Sequence, residues 1–196
     1  GEDARRVEFY ALPIASNSKN EIDLAGDLQN LVGSLSNATL YVDAGGIGST
    51  VCKLIERGGG VVQRINWGAP CFKKEYQSRF YNLRACAMVR FRDAVKQGRV
   101  SVTADLDKRT REKILLQAAR LPYHFSEAGG LRYVMMSKED MRKEGIKSPD
   151  MIDAMSFAFL EGTSFMPAGA SNGQEEMQAE AVGKARQEAD AFAEVE

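Results

Sequence analysis

Histidine is almost missing from this chain: His124 is the only one among 196 residues. A His-rich metal site is thereby excluded, and a Cys/His catalytic pair would rest on spatial coincidence alone, so His124 reads as an ordinary structural or surface residue. Cysteine is scarce as well. Cys52, Cys71 and Cys86 show no C-x-x-C spacing, so neither a zinc site nor a disulfide framework is indicated, and a reducing cytoplasm fits. No apolar stretch approaches the ~20 residues a membrane-spanning helix needs. No signal-peptide pattern is visible at Gly1, where a trimmed start would hide one. The formal net charge is only −1, so composition does not announce a nucleic-acid binder, and an electropositive face would have to come from local charge distribution. Phosphate-binding glycine motifs are incomplete. Gly46-x-Gly48 lacks a third glycine, and no Lys-Ser/Thr pair is present for a P-loop. A dinucleotide fold would want an acid about 20 residues on, where this chain has Asn66 and Trp67. The glycines are better explained as permitting a tight strand-to-helix turn.

What is present is a chain that is 44% hydrophobic and long enough to bury one core and carry a tail. Its segments alternate in type. Strands are predicted at Val7–Leu12, 38–43, 61–65 and 99–102, and helices at Glu21–Leu35, Ser49–Arg57, 79–97 and about 108–120. Phe125 and Leu131–Met136, on either side of Gly129-Gly130, predict a hairpin leading into a loop at Lys138. Such alternation gives an α/β layered domain.

Two acidic positions stand out against this frame. Residues 38–43 read as a strand ending on Asp43. Ala44-Gly45-Gly46-Ile47-Gly48 then turns into a helix stopped by Gly58-Gly59-Gly60. Near residue 150 the chain reads Ser148-Pro149-Asp150-Met151-Ile152-Asp153, with Ser148 as N-cap and Pro149 at the first helical position. Asp150 and Asp153 then share one helical face at the mouth of an apolar run. A favourable helix dipole would account for Asp150 alone. Asp153, set deeper, needs a compensating partner, and a divalent cation is one. An acid at a strand tip and another at a distant helix start are what two-metal phosphodiester chemistry requires. Asp105 and Asp107 read instead as helix-start acids.

Basic residues cluster between Lys73 and Arg99: Lys73, Lys74, Arg79, Arg84, Arg90, Arg92, Lys96 and Arg99 oppose only Glu75 and Asp93. Phe80, Leu83, Ala87, Met88, Phe91 and Val95 supply an apolar stripe, so the interleaved aromatics face the core and the basic residues an outer face suited to phosphates. A second group, Lys138, Arg142, Lys143 and Lys147, precedes Asp150.

The order of these motifs resembles a known family. Val42-Asp43-Ala44-Gly45-Gly46-Ile47-Gly48, a Gly-terminated helix, Tyr81-Asn82-Leu83-Arg84-Ala85, Gly98-Arg99-Val100, Ser137-Lys138-Glu139-Asp140 and Ser148–Ala154 follow one another over roughly residues 1–162. This is similar to the nuclease domain of the large terminase subunit of tailed phages of the headful-packaging type. The resemblance implies a ribonuclease-H-like layered fold, with a mixed central sheet flanked by helices, over 1–165. It also implies a metal-dependent endonuclease that cuts concatemeric viral DNA during packaging, using two Mg2+ or Mn2+ ions. Asp43 and Asp150 carry over as metal ligands, with Asp153 a neighbour that assists. Arg84 and Lys138, with Lys73, Lys74 and Arg142, are the expected DNA contacts. The implied partners are double-stranded DNA, the portal protein, the small terminase subunit and the ATPase domain of the same subunit, in the host cell cytoplasm.

The chain departs from the family pattern at two places. The family's first catalytic aspartate lies on the opening strand, before a Gly-x-Asp element. This chain opens at Gly1-Glu2-Asp3, in the middle of that element, so the first ligand is expected upstream and the first strand is read as truncated. Cys86 stands where many relatives have an acid, which argues against a ligand on that helix. Beyond Phe165 the composition changes: 166–173 reads as a linker, and 174–196 as an acidic Ala/Glu-rich tail, a marginal helix at best without a partner. Two alternatives stay open, a non-catalytic DNA- or portal-docking module and a junction resolvase of the same fold.

Overall fold

The computed structural model describes residues 6–9, 20–35, 38–102, 105–126 and 130–162. In chain order these form β1 (Val7–Phe9), α1 (Glu21–Gly33), β2 (Tyr41–Asp43), α2 (Ile47–Arg57), β3 (Gln63–Ile65), α3 (Lys74–Gln77) and α4 (Leu83–Lys96). There follow β4 (Val100–Val102), α5 (Lys108–Ala119), β5 (Tyr123–Ser126), β6 (Arg132–Met135), α6 (Lys138–Lys143), α7 (Asp150–Ser156) and a 3-10 turn, Phe157–Phe159. Asp3, the far end of the predicted opening strand, the 166–173 linker and the acidic tail lie outside the described residues. The chain divides into two compact units. The described residues among 6–9 and 67–162 belong to the first, and those among 20–66 to the second.

In the second unit β2 and β3 run parallel, with Asp43 opposite Ile65. Helix α1 begins where Asn20 accepts hydrogen bonds from the Ile22 and Asp23 amides at 3.0 and 2.9 Å. It packs on α2 through Ala25, Val51 and Ile55, with Leu24, Leu28, Leu40, Leu54 and Val62 closing around them. The turn from β2 into α2 depends on glycine for two distinct reasons. Gly46 sits at φ +52°, in the left-handed region. Gly48 lies so close to the end of β2 that a Cβ there would come 1.8 Å from the carbonyl oxygen of Asp43. Because that oxygen is backbone, Gly48→Ala forces α2 away from β2. A loss of about 3 kcal/mol, the upper end of ordinary overpacking, is expected in urea unfolding.

The first unit is built around α4. Leu83, Ala85, Cys86, Ala87, Met88, Val89, Phe91 and Ala94 are all buried, so this helix is enclosed on most of its circumference and not simply striped. It starts at Leu83, four residues later than the sequence pattern suggests, because Asn82 caps it by accepting from the Ala85 amide at 2.9 Å. Residues 79–81 are drawn instead against β6: Tyr133 N–H donates to Arg79 O at 2.8 Å, and Tyr81 N–H to Tyr133 O at 3.0 Å. Strands β5 and β6 form the expected antiparallel hairpin, and β1 pairs in parallel with β4. Trp67 stacks on Phe157 with ring centroids 4.8 Å apart, and Phe91 lies 5.4 Å from Phe159, which anchors the end of α7.

The segment at Lys138 is helical, not the expected loop. Ser137 caps α6, its hydroxyl accepting from the Asp140 amide at 3.0 Å and donating to the Asp140 carboxylate at 2.7 Å. Ser-x-x-Asp is a close variant of the capping box, so this helix start was legible in the sequence.

Candidate active site

Helix α7 carries Asp150 and Asp153, and the two carboxylates have opposite surroundings. Asp150 is exposed and accepts a hydrogen bond from the Ser148 hydroxyl at 2.6 Å. That hydroxyl is thus spent on a side chain, and Pro149 occupies the cap position in place of the expected Ser148. Asp153 is 6% exposed, between Ile152, Met155 and Ser156, which are buried too. An ionised carboxylate there must be paired, and Arg84 pairs it. The Arg84 Nε donates to Asp153 Oδ1 at 3.0 Å while Nη1 donates to the Met136 carbonyl at 3.0 Å. The other oxygen, Oδ2, is buried and makes no hydrogen bond. The ammonium of Lys138 approaches it at 3.3 Å, in ion-pair range, and lies 3.7 Å from Asp150 Oδ1. Two carboxylates and two cations therefore form one compact cluster, with Lys138 between the carboxylates.

This arrangement revises the expected outer face of α4. Arg84 is buried on Asp153, because it occupies the first turn of a helix that α7 and β6 cover. Arg90 donates to the Phe159 carbonyl at 2.7 Å and lies over the Tyr76 ring. Arg92 pairs with Asp93 at 2.8 Å and lies over Tyr123 and Tyr133, and Arg79 lies over Phe80. These cations are engaged with the unit's own side chains and carbonyls. Lys73, Lys74 and Arg142 are exposed. The Cys86 thiol is held well above the usual thiol range by its hydrogen bond with Cys71 and by burial, so it stays protonated and is no ligand for a hard cation.

A third helix holds α7 in place. Gln117 of α5 accepts at its Oε1 from the Met151 and Ile152 amides, at 3.0 and 3.4 Å. It thereby supplies from outside the cap that Pro149 cannot. Gln117→Ala is expected to cost about 1 kcal/mol, the ordinary value of a lost cap, read from urea unfolding, while Gln117→Glu retains the acceptor and most of the stability. Nothing local in the sequence marks Gln117, since its partners lie 34 and 35 residues away.

Asp43 ends β2 in the second unit. Its Oδ1 accepts from the Gly45 amide at 3.0 Å, folding the glycine turn back on the strand tip. Within neither unit do three His, Cys, Asp or Glu side chains group as a metal site among the described residues. For a divalent cation the fit lies in the donor type, hard carboxylate oxygen, and in the buried Asp153 Oδ2 that lacks a hydrogen bond.

The fold is the ribonuclease-H-like α/β arrangement of terminase nuclease domains. It matches the nuclease domain of the large terminase subunit gp2 of bacterial virus Sf6, with a TM-score of 0.54 and 20% identity over 75% of this chain and 72% of that one. A lysine-to-alanine variant of the same domain, solved with manganese, matches with a TM-score of 0.53 and 17% identity over 74% and 72%. In sequence the chain is a homologue of a terminase large subunit: it is 36% identical over 126 residues to the probable terminase large subunit of Enterobacteria phage P7. Those residues are 63% of this chain and 24% of that protein, so the chain spans about a quarter of its relative's length. No family model matches the chain. No helix among the described residues is long and apolar enough to cross a membrane.

Proposed function

We propose that this chain is the metal-dependent endonuclease domain of a viral packaging motor, cutting concatemeric double-stranded DNA as a procapsid fills. The observation that carries this reading is the α7 cluster: an exposed Asp150 beside a buried Asp153 whose Oδ2 accepts no hydrogen bond and faces Lys138. Relationship to a terminase large subunit and the nuclease-domain fold support it.

Asp150 and Asp153 in the first unit, and Asp43 at the tip of β2 in the second, are each candidate carboxylate ligands for Mg2+ or Mn2+. When bound, such ions polarise the phosphodiester and lower the pKa of water. The chain's own groups do the rest. Arg84 holds the Asp153 carboxylate by one of its oxygens and leaves the other facing Lys138. It therefore acts as a positioning residue rather than a surface contact. Lys138 neutralises the two carboxylates and is the cation best placed to meet a phosphate arriving at them. Lys73, Lys74 and Arg142 would contact the DNA backbone further out. The portal protein, the small terminase subunit and an ATPase domain are the partners this role calls for, in the host cytoplasm.

Plasmid nicking in Mn2+, with EDTA as control, tests the reading; no metal-dependent cutting by the chain would reject it. A second reading, a non-catalytic DNA- or portal-docking module, draws on one fact: no three candidate ligands group within either unit among the described residues. Such a module would bind DNA with steep salt dependence and cut nothing.

A further inference from the structure

Helix α5 presents the cations that α4 withholds. Lys108, Arg109, Arg111, Lys113 and Arg120 lie on it or at its end, and all are exposed. Glu112, the only acid within the helix, is engaged by Lys108 at 3.9 Å, and the N-cap acid Asp107 interacts with Arg109. Among the described residues none of Arg109, Arg111, Lys113 and Arg120 makes an ion pair, in contrast to Arg84, Arg92, Lys138 and Lys143. Arg109 and Lys113, four residues apart, lie on one flank of the helix about 6 Å apart along its axis, and Arg120 follows at its C-terminal end. Helix α5 buries no residue fully and touches α7 through Gln117, so this flank is held in fixed register with Asp150 and Asp153. Leu115 and Leu116 are exposed on the same helix, but the excess of exposed cations around them suits a polyanion better than an apolar partner.

We infer that α5 is a backbone-binding track for duplex DNA, in which Arg109, Lys113 and Arg120 follow one line of phosphates toward the α7 carboxylates. This rests on the nuclease reading above and names where its substrate lies. These exposed cations would gain phosphate partners and release counterions, contributing affinity without sequence preference.

The test measures binding of a labelled duplex by anisotropy, in EDTA so that the DNA stays intact, across a salt series. The unaltered 196-residue chain is compared with the triple variant Arg109→Gln, Lys113→Gln, Arg120→Gln. A control of equal charge change carries Lys53→Gln, Arg57→Gln and Lys96→Gln, all exposed positions outside α5. Nicking in Mn2+ is followed in parallel, and thermal melts establish that each variant folds. The α5 variant is expected to lose roughly 2 to 3 from the slope of log affinity against log salt, about 0.9 per phosphate contact. Its affinity should fall about tenfold or more near 0.1 M salt, with the control shifting the slope by less than about 1. Equal slopes for the α5 variant and the control, in a chain that still nicks, would overturn the track and leave the nuclease reading standing. Failure of the unaltered chain to bind the duplex would overturn the track directly, and failure to cut in Mn2+ despite binding would count against the nuclease alone.

Discussion

Asp150→Asn is expected to bring Mn2+-dependent nicking down to the level seen in EDTA, and Asp43→Asn to do the same, with both chains still folded. The amide is chosen because it keeps the local hydrogen bonds and removes only the charge. Asparagine at 150 still offers an oxygen to the Ser148 hydroxyl, and at 43 it still accepts from the Gly45 amide. Asp150 has 73% of its side chain exposed, so losing its charge should change stability little. A hard divalent cation, by contrast, depends on full carboxylate charge among its oxygen ligands. The nicking rate and a denaturation midpoint measured on the same preparations separate the two effects. Undiminished cutting by either variant would remove that aspartate from the proposed ligands.

Arg84→Ala should be the most damaging single change to the folded first unit, costing about 3–5 kcal/mol, the usual penalty for stripping one partner from a buried ion pair. Three losses coincide there. Asp153 Oδ1 loses its donor, the Met136 carbonyl loses its own, and the carboxylate stays buried beside Ile152 with only Lys138 near it. Lysine cannot restore the arrangement, because a single ammonium cannot reproduce the fork that reaches both Asp153 and Met136. The double change Arg84→Met with Asp153→Leu removes both charges together and should recover much of the stability while abolishing metal-dependent cutting. Urea unfolding of the three variants measures this. A cost below about 1 kcal/mol for Arg84→Ala, the value of an exposed pair, would show that the pair is not the buried anchor described and would return Arg84 to the list of candidate DNA contacts.

The alternation of segment types was legible because each segment carries its own period and punctuation. Gly58-Gly59-Gly60 ends α2, Asp107 caps α5 by accepting from the Thr110 amide, and Gly130 lies in the β5–β6 connection. Asp43, Asp150 and Asp153 stand out as candidates for a related reason, since a charged residue at a strand tip or beside an apolar run is a local anomaly. The start of α4 was misread because Phe80 continues the helical apolar spacing, yet residues 79–81 form hydrogen bonds to β6, more than fifty residues away. Basic sequence neighbours mark Arg84 as an outward cation. Its partner lies 69 residues on, and a charge pattern along the chain does not say which positions another helix will cover.

By itself, then, the sequence determined where helices and strands could form, that the loop after Asp43 had to be glycine, and which carboxylates were candidates for cation chemistry. These are local matters, fixed by backbone sterics, capping and the cost of charge beside apolar residues. Only the tertiary structure decided which cations are consumed and which are left over. It buried Arg84 against Asp153, turned Arg90 and Arg92 onto carbonyls and rings, and left the cations of α5 facing solvent. The physical reason is that a cation's partner is set by packing between segments remote in sequence, and the desolvation that makes such a pair matter exists only once those segments have met.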